Sequence, residues 1–369
     1  MCLDGMDELG GAGARREVTT AVAALINRYP RNRFIVTSRI VGYDEAPLNR
    51  REFPHHTIQP LSDADIKSFV EKWYIAREKD PVVQKERITH LTKTIMNEPR
   101  IKSLATNPLM LTIIALVHRV EAELPHERVK LYDKCVTTLV ETWDKVRGLK
   151  YDLRRRLLEQ LAYWMHSRPA APDQPDGRTR DVREGDLEIQ LVRFLMENPR
   201  LALDEEQALE EAREFINLAK TRSGLLVERG EGLYSFAHLT FQEYLTACDI
   251  EHSQIIKGVD GLWREIELKL HNSHWREVLL LLLGSLNRYD EINTELVSRI
   301  LSLQDEYEPL LHRKLFFTTH ILADKVLVST ALHDQIVDRM LSIANSDVFS
   351  RHDAIGYLGG LQNDPYAAG

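Results

Sequence analysis

Two short apolar runs and one helical stripe form the pattern at the start of the chain. Residues 1–3 are apolar and pass directly into acidic residues, while residues 33–39 contain a β-branched run that ends in polar residues. Between them, apolar side chains recur at helical spacing over residues 16–29, after a flexible glycine-rich loop at residues 10–14. A strand, a crossover helix and a second strand predict two neighbouring parallel strands whose carboxyl ends share one edge.

From residue 61 onward the apolar spacing becomes helical. Ser62 and Asp65 have the positions of a capping box at a helix start. Residues 107–117 predict a very apolar, buried helix, and Pro108 suits its first turn. Further helices are predicted at residues 82–97, 101–105 and 129–145, from residue 151, around residue 184 and at residues 205–222. After residue 253 the spacing predicts helical hairpins in a stacked array.

A β-hairpin interrupts the helices near residue 230. Two β-rich runs within residues 223–236 flank the Arg-Gly-Glu-Gly sequence at residues 229–232, which is a hairpin signal. Helices followed by such a hairpin make a winged helix, a variant of the helix-turn-helix. The second run leads into a segment in which Phe241 and Tyr244 are expected to pack inward, with His238 at the junction of strand and helix.

Composition and charge narrow the class of protein. The chain has 369 residues, of which 43% are hydrophobic and 28% are charged, as in ordinary soluble globular proteins. The net charge of −8 argues against a general nucleic-acid-binding surface. The three cysteines are too widely spaced for a disulfide framework or a metal cluster, which suits a reducing cytosol. No signal-peptide pattern or membrane-length apolar run occurs, so we expect a soluble, cytoplasmic chain.

Acidic side chains follow the first predicted strand. Asp4 comes directly after the apolar run, and Asp7 and Glu8 come shortly after it. In open α/β sheets, ligands bind beyond the carboxyl ends of the strands. One carboxylate there can hold Mg²⁺ through water, while a second acid orients or deprotonates the attacking water in phosphoryl transfer. The alternative for such an isolated acidic sequence is a solvated turn.

Three more residues are candidates for nucleotide contact, and each has a structural alternative. Arg39 ends the second strand and would bring a cation beside the carboxylates, where it could contact a terminal phosphate, or it could be a surface arginine. Pro108 could be only a helix start. His238 could be a satisfied structural histidine or a charge-bearing phosphate contact.

Four separated features together resemble the NACHT family of signal-transduction NTPases, within the AAA-related STAND class. Residues 3–9 are similar to its Walker B motif, and residues 37–39 resemble its sensor 1 strand end. Residues 107–109 resemble the segment whose proline touches the nucleotide base, and residues 236–245 resemble the winged-helix signature. The order and spacing match over roughly residues 1–250, and the combination is far more specific than any one motif.

The resemblance implies a fold and an order of domains. An α/β remnant of a P-loop NTPase sheet, carrying Walker B and sensor 1, would occupy residues 1–60. Mainly α structure would follow, with a helical domain at 61–128, a winged-helix domain at 129–250 and a C-terminal helical, HEAT-like array at 251–369.

The resemblance also implies a catalytic arrangement. Asp4 would position Mg²⁺, and Glu8 with Asp7 would polarise the attacking water. Arg39 would sense the γ-phosphate of ATP. The implied cofactors are therefore ATP or ADP with Mg²⁺.

A switching role follows from the same resemblance. Pro108 would line the base pocket, and His238 would contact the β-phosphate of ADP and hold a closed, inactive state. Exchange of ADP for ATP would release that state and allow homo-oligomers to form. The C-terminal helices would begin a sensor for an unidentified trigger, in a defence or stress response.

One part of the family pattern is missing. The phosphate loop G-x-x-x-x-G-K-[ST], which precedes Walker B in the family, does not occur in this sequence and is expected upstream of residue 1. We therefore expect this chain alone to bind nucleotide weakly and not to hydrolyse it. The alternatives are a winged-helix transcription regulator, which the acidic balance disfavours, and a degenerate, non-enzymatic interaction module.

Overall fold

The computed structural model describes residues 2–3, 11–29, 31–37, 48–49, 53–121, 123–125, 127–141, 151–168, 181–219, 225–230 and 232–345. Over these residues the chain is mostly helical, with a parallel strand pair and a three-stranded antiparallel sheet. The strands are β1 (Cys2–Leu3), β2 (Ile35–Val36), β3 (Val182–Arg183), β4 (Leu226–Gly230) and β5 (Leu233–Phe236).

The helices follow one another closely along the chain. They are α1 (Gly11–Arg28), α2 (Asp63–Arg77), α3 (Pro81–Asn97), α4 (Pro99–Ala105), α5 (Pro108–Glu121), α6 (Arg128–Glu141), α7 (Tyr151–His166), α8 (Glu184–Met196), α9 (Glu205–Leu218), α10 (Leu239–Gln254), α11 (Gly258–Lys269), α12 (Arg276–Ser285), α13 (Asp290–Ser302), α14 (Glu308–Leu311), α15 (Arg313–Ala323) and α16 (Thr330–Ala344).

The chain forms two compact units. The first unit comprises Met1–Pro60, Leu139–Leu157 and Ser167–His238. The second unit comprises Leu61–Thr138, Leu158–His166 and Leu239–Gly369.

The first unit begins with the predicted strand, helix and strand. Strands β1 and β2 pair in parallel, with Leu3 opposite Val36. A small core surrounds Val22 on α1, which is buried as the helical stripe predicts. The side chain of Ile35 is 63% exposed, so this strand pair is covered only in part. The core contains Val22 and Leu48, with Leu3, Val18, Ile26, Val36 and Phe53 packed against them.

The predicted start of α1 is wrong by five residues. The helix begins at Gly11, inside the glycine-rich stretch that predicted a loop at residues 10–14. Glycine disfavours a helix by only about 1 kcal/mol per residue, so the apolar packing of the following turns outweighs it.

The first unit also contains the antiparallel sheet. Strand β5 lies between β3 and β4, with Tyr234 opposite Val182 and Phe236 opposite Leu226. The hairpin of β4 and β5 confirms the prediction from the sequence. Strand β3 was not predicted, because its two residues become a strand only by pairing with β5, far along the chain. Helices α8 and α9 pack against each other in the same unit.

The second unit begins with helices α2 to α5. The predicted capping box is present, since the Ser62 amide donates to Asp65 Oδ2 over 2.9 Å and the Asp65 amide donates to Ser62 Oγ. On α2, Ile66, Val70 and Tyr74 are fully buried at helical spacing. These contacts confirm the amphipathic helix that the sequence predicts.

His118 on α5 lies in a series of three hydrogen-bonded side chains that also includes Tyr74 on α2 and His90 on α3. The Tyr74 hydroxyl lies 2.6 Å from His118 Nδ1, and His118 Nε2 lies 2.8 Å from Nδ1 of the exposed His90. His118 is fully buried, and burial lowers its pKa to about 4, with contributions from the charges of His90 and Arg87. This histidine is therefore neutral in the folded chain at neutral pH.

Helix α10 is buried on all sides in the second unit. Every residue from Phe241 to Glu251 is buried, and α10 packs against α12, whose residues from Val278 to Gly284 are buried as well. Glu159 on α7 is fully buried, and its Oε2 lies 2.7 Å from His252 Nδ1 on α10. The centre of the unit is therefore partly polar.

Helices α11 to α16 complete the second unit. Helix α13 packs against α11 and α15, and α15 packs against α16. The helices confirm the helical character predicted after residue 253, while a HEAT-like repeat stays a prediction. No helix in the described part of the chain is long and apolar enough to cross a membrane.

The buried histidine predicts a pH dependence of stability. In the unfolded chain a histidine titrates near pH 6.5, so between pH 6.5 and 4 the unfolded state binds more protons than the folded state. We expect the free energy of unfolding to fall by about 2 kcal/mol as the pH drops through this window, allowing for screening at the exposed His90. Above pH 7, His118 should not contribute to the pH dependence of the free energy of unfolding.

Urea unfolding at a series of pH values measures this dependence. The step between pH 6.5 and 4 should disappear in His118→Gln and persist in His56→Gln, which changes an exposed histidine of the first unit. An unchanged slope in His118→Gln would contradict the prediction.

A close helix contact predicts a second effect on stability. A Cβ on Gly284 would lie 2.8 Å from Val129 Cγ2, and valine has a stiff χ1 angle. We expect Gly284→Ala to lower the free energy of unfolding by about 1–3 kcal/mol, despite the higher helix propensity of alanine. Gly185→Ala is the matched control, because a Cβ there meets no atom within 4 Å. Urea denaturation should show a loss only in the first variant, and equal stability of both variants would contradict the contact.

Candidate functional site

The two parallel strands end at the same edge. Strands β1 and β2 run in register from Cys2 opposite Ile35 to Leu3 opposite Val36, and the Thr37 amide donates to the Leu3 carbonyl over 2.9 Å. The adjacency that the sequence predicts for these strands is therefore present. In a parallel pair, the residues that follow both strands leave from one edge.

The predicted acids and the predicted arginine lie outside the described residues. Asp4, Asp7 and Glu8 follow β1 in the sequence, and Arg39 follows Thr37 by two residues. Their roles stay predictions. Among the described residues, no group of three or more His, Cys, Asp or Glu side chains could hold a metal ion.

Pro108 opens helix α5. The Asn107 carboxamide oxygen accepts the amides of Leu109 at 2.9 Å and Met110 at 3.2 Å, so Asn107 caps the helix. Pro108 occupies the first helical position, where its missing N–H is no loss. The helix start predicted from the sequence is confirmed. The Pro108 ring is exposed, so it is accessible to a ligand.

His238 lies between β5 and α10, as the sequence predicts. The Ala237 amide donates to the Leu225 carbonyl over 2.8 Å, which fixes the chain just before the histidine. The His238 side chain is half-buried. The two aromatic residues that follow are buried as predicted, and the Tyr244 hydroxyl donates to Asp133 Oδ1 over 3.0 Å.

The helices and the sheet of the first unit have the geometry of a winged helix. Strand β3 precedes α8 and α9, and the hairpin β4–β5 forms the wing. Gly232 has a φ of 68°, a left-handed conformation that glycine adopts without strain. The Tyr234 hydroxyl donates to Glu184 Oε2 over 3.2 Å, and the Glu184 amide donates to the Gly232 carbonyl over 2.8 Å. These two hydrogen bonds hold the wing against the start of α8.

Helix α9 is strongly acidic. It is the second helix of the helix-turn-helix, which in DNA-binding members enters the major groove. Five glutamates against one arginine give α9 a net formal charge of −4. Its one arginine, Arg213, pairs with Glu188 Oε1 over 3.0 Å. The glutamates are Glu205, Glu206, Glu210, Glu211 and Glu214.

The carboxylates on α9 affect one another. Burial raises the pKa of Glu211, and the charges of Glu214 and Glu210 raise it further. Carboxylates that repel one another would also repel the negatively charged phosphates of DNA. The acidic run is plain in the sequence and could have excluded a DNA-reading helix without the structure.

The comparison with protein families agrees with this geometry. Residues 128–250 match a family model described as a winged helix-turn-helix domain C-terminal to NACHT. The matched segment is about a third of the chain and contains α8, α9 and the three-stranded sheet. The match confirms the NACHT resemblance for this segment. A search of curated proteins found no match for the chain.

The acidic second helix predicts that the winged helix does not bind duplex DNA. Non-specific binders reach dissociation constants of roughly 10⁻⁴ to 10⁻⁶ M through basic contacts to phosphates. We expect no change in the fluorescence anisotropy of a labelled duplex at micromolar protein, even at low salt. The charge-reversed variant Glu206→Lys with Glu210→Lys, both exposed, should gain weak, salt-sensitive binding. Salt-dependent micromolar binding by the unchanged chain would contradict this expectation.

Proposed function

We propose that the chain is part of a nucleotide-dependent signalling switch of the NACHT, or STAND, type. In this switch, exchange of ADP for ATP controls the formation of homo-oligomers, in defence or stress signalling. The observation that carries the proposal is the winged helix at residues 128–250, which matches a family model described as C-terminal to NACHT. The strand pair and the helices that precede the winged helix support the proposal, because their order matches the order that the resemblance implies.

The strand edge is where this chain would contact the nucleotide phosphates. Asp4 would hold Mg²⁺ there, since carboxylate oxygens are ligands that this ion prefers. When bound, the ion neutralises charge on the phosphates. Glu8 with Asp7 would orient the attacking water, and Arg39 would contact the γ-phosphate. The parallel pairing of β1 with β2 supports this arrangement, because in the sequence these residues follow the ends of two neighbouring strands.

The two remaining candidate residues would contact other parts of the nucleotide. Pro108 would line the pocket for the base, which its exposure at the start of α5 supports. His238 would contact the β-phosphate of ADP and stabilise the closed state. Its half-buried position between β5 and α10 supports a role at the boundary of the winged helix.

The C-terminal helices would serve as the start of a sensor for an unidentified trigger, in a cytoplasmic protein. The chain lacks the sequence G-x-x-x-x-G-K-[ST], so its backbone and lysine donors to the phosphates would come from a longer form. Two other functions compete with the switch. A winged-helix transcription regulator is disfavoured by the acidic α9, and a non-enzymatic interaction module would bind no nucleotide at all.

Nucleotide exchange tests the proposal. We expect this chain alone to show no tight ATP binding by calorimetry and no hydrolysis. In a longer form that carries the phosphate loop, His238→Ala should speed the release of fluorescent ADP and promote assembly. In the same form, Glu8→Gln should abolish turnover while binding persists, because it removes only the acid that orients water.

The control for both variants is Glu267→Gln, which changes an exposed glutamate on α11. It should exchange ADP and turn over ATP like the parent. Tight ATP binding by this chain alone would show that the phosphate loop is dispensable. Unchanged ADP release and assembly in His238→Ala would refute the proposed lock.

A further inference from the structure

A pocket of about 250 Å³ lies among the C-terminal helices of the second unit. It is bounded by the turn that precedes α12 and by the start of α15. At roughly 30 Å³ for each water molecule in the liquid, it has room for about eight waters. The pocket could therefore receive a small molecule or the head of a larger one.

The lining of this pocket is basic. His271, Arg276, Arg313 and Lys314 contribute to it, and no described Asp or Glu lines it. A concave surface with one sign of charge attracts ligands of the opposite sign. The chemistry of the lining therefore selects an anion.

Two of the four basic residues are already engaged. Arg313 binds both carboxylate oxygens of Asp305 at 2.7 Å, and Lys314 Nζ donates to the Leu301 and Leu303 carbonyls. Burial acts to raise the pKa of Asp305, but hydrogen bonds from Arg313 and the Tyr307 amide outweigh it and lower that pKa. Asp305 thus stays ionised and neutralises Arg313.

Of the other two basic residues, Arg276 is the one most available to a ligand, since the charge of His271 also acts on Asp305. The Arg276 guanidinium forms no hydrogen bond or ion pair with a described residue, although its side chain is half-buried. Its carbon Cζ lies 5.9 Å from the centroid of the Phe317 ring, over the aromatic face. The exposed His271 lies at the rim of the same pocket. A half-buried arginine without a counter-ion is the strongest anion donor in this pocket.

Three backbone amides near the pocket are already paired. Asn272 Oδ1 accepts the His274 amide at 3.0 Å, just before α12. The Glu308 carboxylate accepts the amides of Lys314 at 2.9 Å and Leu315 at 3.2 Å, at the start of α15. Recognition would depend on side chains, with the Ser273 hydroxyl and the Asn272 carboxamide beside Arg276.

The remaining lining of the pocket is apolar, with Leu270 and Leu311 beside two aromatic side chains. Phe317 is buried and Phe316 is half-buried, and both line the pocket. A flat apolar group could pack on this aromatic wall while an attached oxyanion meets Arg276. Basic donors beside an aromatic wall fit a small organic anion better than an inorganic ion.

We propose that this pocket binds a small organic oxyanion, a phosphate or carboxylate attached to a flat apolar group, with Arg276 as its main ligand. The guanidinium offers a planar pair of donors that matches both oxyanions. The site is built from second-unit residues alone and uses none of the residues proposed for nucleotide contact, so it does not depend on the proposed nucleotide switch.

Calorimetric titration of the whole chain with phenyl phosphate, phenylacetate and inorganic phosphate tests this site. We expect phenyl phosphate or phenylacetate to bind more tightly than inorganic phosphate, because only they can use the aromatic wall. Arg276→Gln should weaken the binding of the organic anion by about tenfold or more, as expected for the loss of a charge-assisted hydrogen bond. Arg264→Gln, at an exposed arginine of α11, should leave it unchanged.

A second variant tests the site independently if Arg276→Gln fails to fold. His271→Gln changes an exposed side chain and should weaken binding by a smaller factor, with an unchanged melting temperature. Equal losses in Arg276→Gln and Arg264→Gln would overturn the site, since they would report only a change in overall charge. Absence of saturable binding by either organic anion up to about 10 mM, which corresponds to roughly −3 kcal/mol, would overturn it as well.

Discussion

The burial of helix α10 is the constraint on which the second unit depends. A buried polar group without a partner destabilises a fold by about 1–3 kcal/mol, so each polar side chain on a helix buried on all sides must be matched by a neighbour. On α10, Glu251 pairs with Arg288 and Tyr244 donates to Asp133, while the exposed His252 pairs with the fully buried Glu159 on α7. Each pair fixes the register of a different neighbouring element against α10.

Much of the fold could be predicted from the sequence where one face of an element is buried. Helix α2 is such a case, since Ile66, Val70 and Tyr74 repeat at helical spacing and are all buried. Helix α10 is the opposite case. Its buried residues cover every face, so periodicity identified only two aromatic residues, while the burial of Glu251 depends on Arg288, which is distant in the sequence. Strand β3 was missed for the same reason.

Two residues of the candidate site, Pro108 and His238, were predictable in position but not in role. The sequence alone placed Pro108 at a helix start and His238 between a strand and a helix, because local spacing determines both. Whether either residue contacts a nucleotide depends on distant parts of the chain. The winged helix shows the same separation between fold and function. DNA-binding domains share its fold, but the acidic α9 lacks the positive charge that DNA recognition needs.

The position of His238 limits how the proposed switch could work. The residue is followed directly by α10, in which every residue from Phe241 to Glu251 is buried. Opening that helix would expose these side chains to water, so α10 itself is a poor place for a conformational change.

The free energy that His238 can contribute to the switch is also limited. Moving an equilibrium from 1:99 to 99:1 requires about 5.5 kcal/mol of differential binding. One hydrogen bond from a histidine to a phosphate contributes about 1.5–3 kcal/mol. His238 alone would therefore bias the closed state without determining it. In the proposed switch, the rest of the difference between ADP and ATP must come from other nucleotide contacts, with Arg39 at the γ-phosphate as the residue best suited to distinguish the two ligands.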